Sequence, residues 1–103
     1  MPAIEWTIPA FTQLEALPQT LAFAIINRVD LLATFPDLGV SLQSVFPALR
    51  NCRQLIIKRN YRVLYEFDPV TDLLIILAVQ HCRQQLPTAT EMKLTRLLLP
   101  PEN

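Results

Sequence analysis

The stretch "IIKRNYRVLYEFDP", Ile56 to Pro69, reads as two strands around a basic turn at Arg59–Asn60. Within it, Tyr61, Val63, Tyr65 and Phe67 alternate with Arg62, Leu64 and Glu66. A strand points successive side chains to opposite faces. The first set is therefore expected in a core, and the second on the other face of the same strand. Arg62 thus stands inside an apolar strand, just after Lys58 and Arg59. Either it meets something anionic, or it pairs with Glu66, four residues along on its own strand face.

Residues 50–58 form the strand before the turn, and "DPVTD", 68–72, is a second turn with Pro69 at its first corner. The following "LLIILAVQ" is apolar almost throughout. Such a strand needs cover on both faces, which places it centrally in the sheet. At the N-terminus, "AIEWT", 3–7, alternates like a strand. Pro9 suits the first turn of a helix, and residues 10–17 make a short one, ended by Pro18. From Gln19 to about Thr34, Leu21, Ala22, Ile25, Ile26, Val29 and Leu32 keep helical spacing. That helix stops before "FPDLG", which holds the only glycine, Gly39. Residues 40–49 read as a connector. Thr88 and Glu91 have capping-box spacing and open a C-terminal helix that ends at Pro100 and Pro101. Its leucines fit either core packing or a docking surface for a partner or a second copy.

At 103 residues, 51% apolar and 17% charged, the chain is expected to be one globular domain. No apolar run approaches the ~20 residues of a membrane helix. "MPAIEWTIPA" has neither a basic n-region nor an apolar h-region, so a cytoplasmic setting is expected. Cys52 and Cys82 are expected as reduced thiols. His81 beside Cys82 offers too few ligands for a metal. Net charge is zero, yet from Leu38 to Tyr65 there is no acid, while Arg50, Arg53, Lys58, Arg59 and Arg62 all fall there. The zero total argues against tight, unassisted binding to long nucleic acid.

Strand, two helices and a three-stranded meander make an α+β order, and on it the chain resembles the RelE/ParE superfamily of type II toxin–antitoxin toxins. Three stretches carry the resemblance: "FPDLG", "LRNCRQLIIKRNYRVLYEFD" and "IILAVQHCRQ", together spanning about residues 35–84. It implies a two-helix hairpin packed on a mostly antiparallel sheet of three to four strands, with a C-terminal helix. It also implies a cognate antitoxin and one of two activities. RelE-like members cut mRNA on the ribosome without a metal or other cofactor; ParE-like members poison DNA gyrase and need no nuclease chemistry. A non-toxic relative is the third reading.

Metal-free RNA cleavage needs a base, an acid and fixed cations at one phosphate. Arg62 is the candidate phosphate clamp, because a guanidinium presents a fork of donors and stays charged. His81, the only histidine, is the candidate acid or base, since imidazole titrates near neutrality. By the His-x-Arg resemblance, Arg83 is a second phosphate contact. Lys58, Arg59, Arg53 and Arg50 are candidates for holding the RNA backbone. Each also has a plainer reading, as exposed surface charge or a structural histidine. Two departures weigh against the nuclease: the chain is neutral, and "CRQQLPTAT", 82–90, holds no aromatic residue. The RelE-like activity is still the leading expectation, on convergence of Lys58, Arg62, His81 and Arg83 at one end of the meander.

Overall fold

The computed structural model describes residues 1–48 and 51–101. Strand β1, Ala3–Trp6, leads into helix α1, Ile8–Glu15. Thr7 caps that helix by accepting the Ala10 N–H, and Pro9 occupies its first turn, where a missing N–H costs nothing. Pro18 separates α1 from α2, Gln19–Asp30, which tightens into a 3-10 turn at Leu31–Ala33. Next come β2, Val40–Ser41; β3, Cys52–Ile57; β4, Tyr61–Asp68; β5, Leu73–His81; and α3, Ala89–Arg96. The expected capping box of Thr88 and Glu91 opens α3, with both reciprocal bonds present.

The sheet has five strands in the order β1-β5-β4-β3-β2. That is one more than the expected upper count, because the presumed connector supplies β2, paired antiparallel with β3. The β1–β5 pair is parallel and the other pairs are antiparallel. Two cores flank the sheet. On one face, Ala10, Leu14, Ile25 and Val29 from the helices meet Leu55, Val63, Tyr65, Leu74, Ile76 and Val79. On the other, Met92 of α3 and Leu42 meet Cys52, Leu64, Ile75, Leu77 and Ala78. β5 is buried on both faces as its apolar run requires, although β4 holds the middle of the sheet.

One irregularity shapes everything at the far end of the sheet. Leu64 of β4 pairs with Ala78, but the next residue, Tyr65, pairs with Ile76. Leu77 is therefore an extra residue in β5, a β-bulge. Before it, Leu74 and Ile76 face the α1–α2 core; after it, Val79 does. The bulge shifts the side-chain parity by one. Gln80 is thereby sent to the α3 face and His81 to the α1–α2 face.

Candidate functional site at the end of the sheet

The β3–β4 hairpin closes with Ile57 opposite Tyr61, so its loop is the three residues Lys58, Arg59 and Asn60, longer than the expected Arg59–Asn60 turn. Lys58 and Arg59 both adopt the left-handed region, at φ 50° and 67°. Neither is glycine or asparagine, the residues that tolerate that region most readily. Both side chains are exposed. The loop is tied to the end of β5 by a 2.7 Å bond from the Cys82 N–H to the Asn60 carbonyl. Lys58, Arg59, Arg62, His81 and Arg83 thus gather at one end of the sheet, but on two faces of it.

Arg62 lies on the α3 face, between Ile56 of β3 and Gln80 of β5. Its Nε donates to Gln80 Oε1 at 2.7 Å and its Nη2 to the Gln84 carbonyl at 2.5 Å. The alternative partner foreseen for it, Glu66, is engaged elsewhere. Glu66 Oε2 sits 2.9 Å from Nε of Arg96, on α3. That N–H is not aimed at the oxygen, so the contact is an ion pair and not an aligned hydrogen bond. Burial pushes the Glu66 carboxyl up, and Arg96 only partly offsets this. The pair stands in a cavity of about 570 Å3 between α3 and the sheet, beside Cys52, Leu77 and Met92. Burial, helped by the Glu66 charge, pushes the Cys52 thiol up to about 12.

His81 lies on the α1–α2 face, edge-to-face against Tyr61 with ring centroids 5.0 Å apart. Its Nδ1 accepts the Arg83 N–H at 3.0 Å, which leaves the proton of a neutral ring on Nε2. A second cavity, of about 300 Å3, opens here between Gln13, Leu17, Tyr61, His81 and Gln84. The pleat and the Leu77 bulge put Arg62 and His81 on different faces of the sheet, while Gln80 and Gln84, the partners of Arg62, also border the cavity beside His81.

Arg53 is spent inside the molecule. Its Nη1 donates to the Gly39 carbonyl at 2.7 Å and to the Asp37 carbonyl at 3.4 Å, and its Nη2 lies 3.7 Å from the Asp37 carboxylate. Arg50 lies outside the described residues. The glutamines Gln13, Gln80 and Gln84, which organise this end, had no role in the sequence reading. The only trace of Gln80 and Gln84 there is the polar run "QHCRQQ" after an apolar strand, and Gln13 left none.

A family model described as the ParE toxin of the type II toxin–antitoxin system, parDE, matches residues 4–86. The chain belongs to this family of type II toxin–antitoxin toxins. Crystal structures show the same fold around different sequences. The toxin–antitoxin complex RelBE2 of Mycobacterium tuberculosis holds a chain 24% identical, with a TM-score of 0.65 over 81% of this toxin and 93% of that chain. The isolated E. coli RelE toxin is 11% identical, with a TM-score of 0.67 over 95% of this toxin and all of RelE. A chain of the intact E. coli RelBE complex, also 11% identical, has a TM-score of 0.63 over 82% of this toxin. A comparison with curated proteins gives no match. The toxin resembles these structures in fold, and its own side chains decide what the fold does.

Proposed function

We propose that this toxin acts by binding its target and not by cutting RNA, as a ParE-like inhibitor of DNA gyrase neutralised by a cognate antitoxin in the cytoplasm. The observation that carries this reading is the division of the sheet end. An RNA-cleaving site needs its clamp and its acid or base around one phosphate. Here Arg62 looks toward α3 with two nitrogens already bonded, while His81 and Tyr61 look toward α1. The strand neighbours of Arg62 on that face, Ile56, Leu64 and Gln80, include no acid, base or cation, and Glu66 further along it is paired with Arg96. The RelE-like reading asked Arg62, His81 and Arg83 to converge with Lys58, and the pleat stands against that. The ParE name of the matching family supports the same choice.

Exposed Leu94, Leu97 and Leu98 at the end of α3 are an apolar surface for the antitoxin to cover. A second copy paired through α3 is the other occupant foreseen from the sequence, and a monomer in sedimentation of the free chain would remove it. The test of the central choice is translation with purified ribosomes and added toxin. Intact mRNA is expected; mRNA cut by the toxin but not by Arg62→Ala would overturn it.

A further inference from the structure

We propose that the cavity between α1 and the end of β5 is a receptor for a carboxylate side chain, an Asp or Glu presented by a protein partner. β1 stops at Trp6, opposite Ile76, and leaves the last residues of β5 without a neighbouring strand on that edge. Two glutamines supply the missing acceptors. Gln13 Oε1 accepts the Val79 N–H at 2.8 Å, and Gln84 Oε1 accepts the His81 N–H at 2.9 Å. A backbone N–H only donates, so both amides are fixed oxygen-inward. The Arg83 N–H fixes the imidazole in the same sense, through Nδ1.

Each of these three side chains thus turns an acceptor toward the backbone and its N–H groups away from it. What the cavity offers is mainly donors: two amide NH2 groups, without acceptors among the described residues, the imidazole Nε2–H, and the Tyr61 hydroxyl, which donates as well as accepts. This excess of donors favours a guest that accepts hydrogen bonds, and an anion accepts them about twice as strongly as a neutral group. Arg83 is exposed two residues from His81, and the Lys58–Arg59 tip is joined to the same corner through Cys82, so the surrounding field has the matching sign. Leu17 and Ala16 give the cavity an apolar wall. A nucleic-acid strand would ask for cations tracking its backbone, whereas the donors here are neutral and the chain carries no net charge. A carboxylate on a protein segment fits that donor set.

The inference does not rest on the gyrase reading, since peptide binding and supercoiling are separate readouts. It is tested by titrating the full chain with capped hexaglutamate, against capped hexaglutamine and single-stranded hexathymidylate, while following the side-chain resonances of Gln13, Gln84 and His81. Hexaglutamate is expected to shift all three, and hexaglutamine none. Gln13→Glu and Gln84→Glu keep the oxygen that holds the strand edge and replace the donor with an acceptor. Each is expected to weaken binding about tenfold or more, the loss of one charge-assisted hydrogen bond, with an unchanged circular dichroism spectrum. Absent shifts with hexaglutamate, or wild-type affinity in both variants, would overturn the proposal. Tighter binding of hexathymidylate to the same side chains would overturn it too, in favour of phosphate.

Discussion

Tyr65 explains why "FPDLG" has its glycine where it does. The hydroxyl donates to the Pro36 carbonyl at 2.7 Å and accepts the Gly39 N–H at 2.9 Å. A Cβ on Gly39 would come within 2.7 Å of Tyr65 and 2.8 Å of the Gln54 carbonyl. Tyr65→Phe leaves two backbone groups without their partner, and about 1–3 kcal/mol of stability should be lost in urea unfolding. Gly39→Ala should cost a similar ~1–3 kcal/mol by overpacking. The two cysteines should separate by reactivity. Cys52 is buried, with its thiol pushed up to about 12, so it should resist alkylation in the folded protein, while partly exposed Cys82 reacts. Equal labelling of both by iodoacetamide would contradict this burial. Glu66 carries a pH dependence. Its folded carboxyl is raised, mainly by burial, so the folded state holds the proton more tightly than the unfolded one. Stability should therefore rise as pH falls through the folded value and level off at the unfolded one. Glu66→Gln should flatten that rise in urea midpoints between neutral pH and pH ~4.5.

At the scale of elements, the hairpin tip and the Leu77 bulge decide the character of the sheet end. The tip holds two long cationic side chains in left-handed backbone, which costs on the order of 1–2 kcal/mol for each residue. Lys58→Asn with Arg59→Gly should thus stabilise the protein by about 1–2 kcal/mol; an unchanged or lower urea midpoint would show that the cations, not the backbone, matter to folding there. The alternation of β4 was legible in sequence because polar and apolar residues take turns. The bulge was not, since "LLIILAVQ" is apolar on both faces and a slip of one leaves no mark in an unbroken run. That slip is what moves His81 away from Arg62. β2 was equally hidden: Val40 and Ser41 are both exposed and make a strand only because Gln54 and Arg53 pair with them. The α3 start, by contrast, was written locally in Thr88 and Glu91. The glutamine acceptors of the cavity follow from where β1 ends, a long-range pairing that no short motif records.

At the scale of the molecule, a neutral chain divides its charge between internal work and one corner. Arg53 and Arg96 are paired with Asp37 and Glu66, and Arg62 is bonded to Gln80 and Gln84, while Lys58, Arg59 and Arg83 stay exposed at the sheet end. No helix among the described residues is long and apolar enough to cross a membrane. The C-terminal helix divides the two uses foreseen for its leucines. Met92 is buried, with Leu86 and Leu99 packed against the same core, whereas Leu94, Leu97 and Leu98 face outward. Among the described residues, Arg62 looks toward α3 and His81 toward α1, the division on which the proposed binding activity rests. The most direct measurement is the supercoiling of relaxed plasmid by DNA gyrase with saturating toxin. The expected result is stalled supercoiling, relieved by the cognate antitoxin; full supercoiling at saturating toxin would contradict it.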